Sequence, residues 1–76
     1  MITVKLYGLL RIDSGIKEKQ LEAEIVKEVL HYLEDCGIDR KALSSCVILV
    51  NGKNASRRSK LTDGDTVVLM SPVAGG

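Results

Sequence analysis

Residues 66–70 read Thr66-Val67-Val68-Leu69-Met70, and they lead directly into Ser71-Pro72-Val73-Ala74-Gly75-Gly76. The first segment is rich in β-branched and apolar residues, which predicts a strand with apolar side chains on both faces. Pro72 has no backbone N–H and biases the preceding residue toward extended geometry, so pairing in a sheet should end there. We therefore predict a folded domain over residues 1–70 and an extended tail over residues 71–76.

The tail finishes on two residues without side chains, Gly75 and Gly76. Four residues beyond the proline span roughly 13 Å when extended, which is far enough to place a carboxylate inside a partner's active site. Glycine lets a partner close around the backbone, so the reactive group delivered is the Gly76 carboxylate. The free anion is a poor acyl donor, and a partner that binds ATP would have to activate it. The alternative interpretation of Gly-Gly alone is an ordinary flexible terminus, or a chain cut at an arbitrary point.

The composition leaves little material for a catalytic pocket. The chain has 76 residues, of which 45% are hydrophobic, and a single domain of this size needs most of them for its core. The formal net charge of +1 favours neither a nucleic-acid nor a membrane partner. No apolar run approaches the roughly 20 residues of a membrane span, and the first residues lead into a strand rather than a signal segment. We expect a cytoplasmic protein without independent enzyme activity.

The cysteines and the histidine form no recognisable metal or redox motif. Cys36 and Cys46 are ten positions apart, which is neither a CxxC pair nor a metal-ligand spacing. We interpret them as two reduced structural thiols, with a disulfide or a site as the alternative. His31 lies opposite the apolar stripe of its predicted helix, which indicates a surface position. We expect no bound metal and no bound cofactor.

The first half of the chain predicts two strands followed by a helix. Apolar and polar residues alternate over residues 2–7, as in a strand with one buried face. Residues 8–15 predict a loop, and residues 16–22 predict a polar strand at the edge of the sheet. The period then becomes helical, and Gly37 stands where a left-handed cap would end a helix over residues 24–36.

The second half predicts a hairpin before the final strand. Asn51-Gly52 separates the apolar run 47–50 from residues 53–55, and this pair favours a tight turn with positive φ at both positions. A short turn of helix is expected around residues 40–43. The basic cluster at residues 56–60 has no interleaved aromatic residue, so we favour a solvated loop over a nucleic-acid contact.

The order of these elements predicts an α+β protein with one main helix packed across one face of a mixed sheet of four to five strands. An early hairpin, one crossover helix and later strands restrict the topology, because crossover connections are right-handed. The arrangement that we favour places the first strand parallel to the last one in the middle of the sheet. This is the β-grasp, or ubiquitin-like, architecture.

Four motifs, taken in their order and spacing, resemble a known family. They are Tyr7-Gly8-Leu9-Leu10-Arg11, Val50-Asn51-Gly52-Lys53, Leu61-Thr62-Asp63-Gly64-Asp65-Thr66-Val67 and Pro72-Val73-Ala74-Gly75-Gly76. The resemblance is to the MoaD/ThiS family of sulfur-carrier proteins, which share the ubiquitin fold, and most closely to the small subunit of molybdopterin synthase. It covers the full length of the chain.

The resemblance implies chemistry that partners perform on Gly76. In similar proteins an E1-like enzyme adenylates the terminal carboxylate with ATP, and a sulfur donor converts the adenylate into a thiocarboxylate. Pro72, Val73, Ala74 and Gly75 then thread a partner's active site. For the molybdopterin synthase small subunit, that partner is the large subunit, where the sulfur is donated during molybdenum cofactor biosynthesis. The chain would act as a protein co-substrate or accessory subunit.

Strand alternation also predicts a surface for these partners. If the core residues of the last strands face the helix, four apolar residues turn to the opposite face, close to the tail. These residues are Val47, Leu49, Val68 and Met70. We interpret them as a docking patch, with ordinary exposed strand residues as the alternative.

Three functions stay open on the sequence alone. The first is a sulfur carrier, for molybdopterin or for thiamine, tungsten-cofactor or amino-acid biosynthesis. The second is a ubiquitin-like modifier that is joined to target lysines through Gly76. The third is a β-grasp interaction module that never uses its terminus.

Overall fold

Five strands and three helices lie within residues 1–71, the part of the chain that this computed structural model describes. The strands are β1 (Ile2–Tyr7), β2 (Glu18–Leu21), β3 (Val47–Val50), β4 (Lys53–Asn54) and β5 (Thr66–Met70). The helices are α1 (Leu9–Ser14), α2 (Val26–Asp35) and α3 (Arg40–Ser45). Both β1 and β5 have the bounds that the sequence predicts.

The strands form one mixed sheet in the order β2-β1-β5-β3-β4. β1 pairs antiparallel with β2 and parallel with β5, and β5 pairs antiparallel with β3. Across the parallel pair, Val4 lies opposite Val67 and Leu6 lies opposite Leu69, so the buried residues of both strands share one face. The first and last strands therefore lie side by side in the middle of the sheet, which confirms the predicted β-grasp architecture.

Helix α2 covers one face of this sheet. Its buried apolar stripe consists of Val26, Val29, Leu30 and Leu33. These residues belong to the same hydrophobic cluster as the inward residues of the strands, and Val4, Val67 and Leu69 are 0% exposed there. Complete burial of such a side chain contributes roughly 1.5–3 kcal/mol to the free energy of folding. Burial of apolar side chains between α2 and the sheet is therefore the main interaction that holds the two layers together.

The start of α2 is fixed by side-chain and tertiary contacts. Ile25 and Lys60 form an isolated antiparallel β-bridge, which keeps the backbone of Ile25 extended. The helix therefore begins two residues later than predicted. The Glu28 carboxylate accepts hydrogen bonds from the backbone N–H groups of Glu24 and Ile25, at 2.6 and 3.3 Å. A glutamate one turn into the helix thus takes the place of the missing Ser, Thr, Asp or Asn cap.

The end of α2 follows the prediction closely. Gly37 adopts a φ of 101°, a conformation that favours glycine. Its N–H donates to the Glu34 carbonyl at 2.9 Å, and the Ile38 N–H donates to the Leu33 carbonyl at 3.1 Å. These two bonds form a Schellman cap, which satisfies carbonyl groups that the helix leaves without partners.

The predicted loop over residues 8–15 was wrong, because most of it forms helix α1. Gly8 and Gly15 flank this helix with φ values of 68° and 73°. The Gly15 N–H donates to the Arg11 carbonyl at 2.9 Å, and Leu10 is buried in the core. A helix of six residues is too short to show a helical period, and tertiary burial rather than local propensity stabilises it.

The two hairpins agree with the sequence to within a few residues. Asn51 and Gly52 have φ values of 51° and 82°, which confirms the tight turn between β3 and β4. β4 is one residue shorter than the predicted 53–55, and β2 occupies the middle of the predicted 16–22. As expected for an edge strand, β2 is mostly exposed and carries charged residues.

Helix α3 extends the predicted turn at residues 40–43 as far as Ser45. The Asp39 carboxylate caps it by accepting a hydrogen bond from the Lys41 N–H at 3.2 Å, and Leu43 anchors it in the core. The three helices contain 6, 10 and 6 residues, and none within residues 1–71 has the length and apolarity needed to cross a membrane.

Candidate functional site

The face of the sheet opposite α2 carries apolar side chains next to the point where the tail begins. In the row nearest Ser71, Met70 lies between Val47 on β3 and Tyr7 on β1. The next row along the strands consists of Leu49, Val68 and Lys5. Paired residues on neighbouring strands project to the same side of a sheet. The structure therefore brings the four predicted patch residues together on one surface.

This surface is only half covered by its own neighbours. Val47 is 39% exposed and Tyr7 is 42% exposed, whereas Leu49, Val68 and Met70 are half-buried. No helix within residues 1–71 packs over them, because the core contacts of α2 are on the other face. An apolar surface of this kind gains free energy when a partner removes it from water. We call these five residues the open-face patch.

Tyr7 was not among the residues predicted for this surface. Its position at the end of β1, opposite Met70, extends the patch across a third strand. The alternation of β1 contained the signal, since Ile2, Val4 and Leu6 face the core and residue 7 must then face outward. An exposed tyrosine supplies a large apolar ring and a hydroxyl group, a combination that is enriched at protein interfaces.

Ser71, the residue from which the tail starts, is fastened to the N-terminal end of α1. Its Oγ accepts a hydrogen bond from the Leu9 N–H at 2.8 Å. Gly8 lies against the same hydroxyl, and a Cβ at position 8 would be 2.4 Å from the Ser71 Oγ. The tail therefore begins from a residue that both β5 and α1 hold.

The remaining residues of the predicted tail lie outside the described residues. These are Pro72, Val73, Ala74, Gly75 and Gly76. Their assignment as the segment that threads a partner's active site, with Gly76 as the reacting residue, stays a prediction.

We call Ser71, the residue from which the tail starts, the tail root. A groove of about 550 Å³ lies beside it, lined largely by residues of α1 and of the segment over residues 37–45. Its apolar lining includes Leu10, Ile38 and Ala42, and Ser71 lies at its edge. The carboxylates of Asp13 and Asp39 also contribute to its wall. The start of the tail is thus flanked by two apolar surfaces that belong to different parts of the chain.

Cys46 immediately precedes Val47, the residue that pairs with Met70, whereas His31 lies on α2. Cys36 and Cys46 are both free, and His31 is exposed on α2 as predicted. Burial raises the pKa of the Cys46 thiol, whose Sγ donates to the Leu43 carbonyl at 3.0 Å. A protonated thiol is a weak nucleophile, which agrees with a structural role. Residues 1–71 contain no cluster of three metal-ligating side chains.

The basic cluster at residues 56–60 has a structural function that the sequence did not indicate. The carbonyl groups of Ser59 and Arg57 accept hydrogen bonds from the Val26 and Lys27 N–H groups, at 3.0 and 2.9 Å. These donors belong to the first turn of α2 and have no partner inside the helix. The loop therefore caps α2 through its backbone carbonyl groups.

One family model and several solved structures match this chain. The ThiS family model matches residues 4–76 of this chain. Small archaeal modifier protein 1 from Methanosarcina acetivorans is 30% identical, with a TM-score of 0.80, and the match covers 99% of this chain and 95% of that one. Comparison with curated protein sequences gives no significant match.

Two further solved structures come from complexes. A chain in the complex of subunits 1 and 2 of the molybdopterin-converting factor from Helicobacter pylori 26695 is 25% identical, with a TM-score of 0.75, and the match covers 99% of this chain and 97% of that one. A chain in the BexX/CysO complex of Amycolatopsis orientalis is 21% identical, with a TM-score of 0.76 and full coverage of both chains at 100%. The latter similarity shows the fold alone.

Proposed function

Because the chain belongs to the ThiS family, we propose that it is a sulfur-carrier protein that reacts through the Gly76 carboxylate. An E1-like partner binds ATP and joins a carboxylate oxygen to the α-phosphorus, with pyrophosphate as the leaving group. Sulfide supplied by a sulfur donor then attacks the acyl carbon, so that a C–S bond replaces the C–O bond to AMP; AMP leaves, and a thiocarboxylate remains on Gly76. The thiocarboxylate transfers its sulfur to an acceptor bound by a second partner.

The observation that carries this proposal is the open-face patch beside the tail root, on a β-grasp body that matches the family over residues 4–76. A carrier must hold a partner with its body while its terminus reacts. Met70 is part of the patch and the next residue starts the tail, so a partner bound to one is within reach of the other. We propose that the tail threads the partner's active site through Pro72, Val73, Ala74 and Gly75.

The partner enzymes and this chain supply different parts of the proposed reaction. ATP is bound by the activating enzyme, and we propose no bound cofactor or metal for this chain. The body contributes a docking surface and the tail contributes the carboxylate, so the chain is a co-substrate or accessory subunit. Val47, Leu49, Val68 and Met70, together with Tyr7, are proposed to contact the partner.

Molybdenum cofactor biosynthesis is the pathway that we propose first. The Helicobacter pylori relative, 25% identical to this chain, is described in complex with the second subunit of a molybdopterin-converting factor. This likeness supports our proposal that the chain acts as the small subunit of molybdopterin synthase, with the large subunit as its second partner. Carriers for thiamine, tungsten-cofactor or amino-acid biosynthesis use the same tail chemistry and remain alternatives.

A ubiquitin-like modifier is the second candidate function. It is favoured by the 30% identity with a protein named as a small archaeal modifier. A modifier needs the same adenylation of Gly76, but the acyl group is then transferred to a lysine amine, which forms an isopeptide bond. The two candidates therefore differ in what is transferred. The carrier gives up the sulfur atom of its thiocarboxylate, whereas the modifier transfers its whole acyl chain to the lysine.

Intact mass measurement of the protein isolated from its native cells separates these functions. A carrier shows a fraction of free chain with one oxygen replaced by sulfur, and a variant lacking Gly75 and Gly76 shows none. Conjugates of higher mass, absent from the same truncated variant, indicate a modifier. If the truncated variant restores growth or cofactor synthesis as well as the full chain, the terminus is not used and both candidates fail. Co-purification of a large synthase subunit tests the pathway.

A further inference from the structure

Helix α1 lacks a local N-terminal cap, and the other end of the chain supplies one. Gly8 occupies the cap position and has no side chain to accept a hydrogen bond. The first N–H groups of a helix have no partner inside it, and they need an acceptor from elsewhere. Ser71, 62 positions beyond Leu9, provides that acceptor through its Oγ at 2.8 Å.

Only glycine permits this approach. Gly8 has φ 68° and ψ −144°, a backbone conformation that residues with a Cβ adopt at considerable cost. The space where a Cβ would be is occupied, since it would meet the Ser71 Oγ at 2.4 Å. By contrast, a Cβ added to Gly15, at the other end of the same helix, would meet no atom within 4 Å. A Cβ at position 8 would therefore displace the serine hydroxyl from the Leu9 N–H, in addition to straining the backbone.

The contact lies at a position where the sheet no longer holds the chain. The pairing of β5 ends at Met70, and Ser71 is the next residue. The hydrogen bond to α1 fixes Ser71 beyond the last ladder position, between the open-face patch and the groove beside α1. A segment that starts from an ordered residue loses less backbone freedom when a partner binds it.

We propose that Gly8 and Ser71 form a positioning pair that fixes the start of the C-terminal tail against α1, so that the activating enzyme receives the Gly76 carboxylate from one direction. This inference rests on the proposed function, because it assigns a role in delivery of that carboxylate. Ser71 acts through the tail that follows it and not on the reacting atoms.

Hydrogen exchange of the Leu9 amide tests the contact in the isolated full-length chain. We expect Ser71→Ala to accelerate exchange at this amide about fivefold, the effect of losing one net hydrogen bond, with little change elsewhere in α1. Ser71→Thr keeps the oxygen and should retain the slow exchange. Unchanged exchange in Ser71→Ala would overturn the proposal.

A double-mutant cycle tests the role of Gly8. Gly8→Ala should displace the hydroxyl and accelerate Leu9 exchange as Ser71→Ala does, whereas the control Gly15→Ala should leave Leu9 exchange unchanged. Adding Ser71→Ala to Gly8→Ala removes the atom that the new methyl group meets, so the second substitution should cause no further acceleration. Independent, multiplicative effects of the two substitutions would contradict a shared contact.

Adenylation kinetics with the cognate activating enzyme test the functional part, measured as ATP–pyrophosphate exchange. We expect Ser71→Ala to lower kcat about fivefold while KM stays within about twofold, because docking by the open-face patch is unaffected. Ser71→Thr should recover kcat, and Gly15→Ala should match the wild type. An unchanged kcat, or a loss confined to KM, would refute the positioning role. If the wild-type chain is not adenylated, the proposed function fails as well, and the hydrogen-exchange result alone then decides whether the pair exists.

Discussion

Neighbouring residues of β5 have opposite surroundings, although the strand is apolar on both faces. Val67 and Leu69 are 0% exposed beneath α2, whereas Val68 and Met70 are half-buried on the open face. The two pairs have similar hydropathy. Their different exposure follows from the position of α2, which packs against one face of the sheet. The difference shows that the domain divides its apolar residues between a core and a surface that the elements of residues 1–71 leave partly uncovered.

The largest effect should come from breaking the closed face. Leu69→Ala removes a fully buried side chain and leaves a cavity, so we expect the free energy of unfolding to fall by about 3 kcal/mol. Val68→Ala, one residue away on the open face, should cost less than about 1 kcal/mol. Urea unfolding of both variants measures the contrast. Equal losses would mean that the open face contributes to the core after all.

The next effect concerns the open face and a partner. Val68→Glu places a charge in the middle of the open-face patch, and we expect affinity for the activating enzyme to fall by about 30-fold, or ~2 kcal/mol. Gln20→Glu is the matched control, because Gln20 lies opposite Thr3 on the same face of the sheet at its far edge. Isothermal titration calorimetry checks both variants. A similar affinity loss in both would indicate a general charge effect rather than a patch.

A smaller effect should follow from loosening the layer that closes the core. Glu28→Ala removes the carboxylate that accepts from the Glu24 and Ile25 N–H groups, which should lower the free energy of unfolding by about 1 kcal/mol. Partner affinity should not change, because α2 lies on the other side of the sheet. Thermal unfolding measures the first quantity and calorimetry the second. Weaker partner binding by this variant would contradict the separation of the two faces.

The smallest effect is a pH dependence at the entrance to β5. Hydrogen bonds from the Thr62 N–H and the Asn51 amide hold the pKa of the Asp65 carboxyl below its ordinary value. The contribution of a lowered pKa is complete above the unfolded value of about 4 and is lost as the pH falls through the folded value. Wild-type stability should therefore decline below about pH 4 more steeply than that of Asp65→Asn. Urea unfolding between pH 7 and pH 3 checks the two slopes, and parallel slopes would exclude the carboxylate.

The sequence determines the strands of this fold more clearly than its short helices. The bounds of β1 and β5 follow from period-two alternation and β-branched composition, and the Asn51-Gly52 turn follows from its need for positive φ. Helix α1 was missed because six residues are too few for a periodic signal. Its stability comes from buried Leu10 and from a distant serine, which local propensity does not include.

The candidate site was partly predictable for a similar reason. Alternation alone turned Val47, Leu49, Val68 and Met70 to one side, and the observed register places them there. Tyr7 joins them through the parallel pairing of β1 with β5. Both this pairing and the alternation of β1 were predicted, so the sequence contained the information although the predicted patch omitted this residue. The contact between Ser71 and α1 joins residues 62 positions apart, so no window of the sequence contains both groups.

The position of β5 in the sheet also constrains how the protein is made. β5 follows every other strand in the chain, yet it lies between β1 and β3, with no direct pairing between those two. Before residues 66–70 are available, the β1–β2 pair and the β3–β4 pair therefore lack the strand that joins them, and each pair has an open edge. A chain that stops before this strand therefore exposes unpaired strand edges, which favour aggregation and recognition by chaperones.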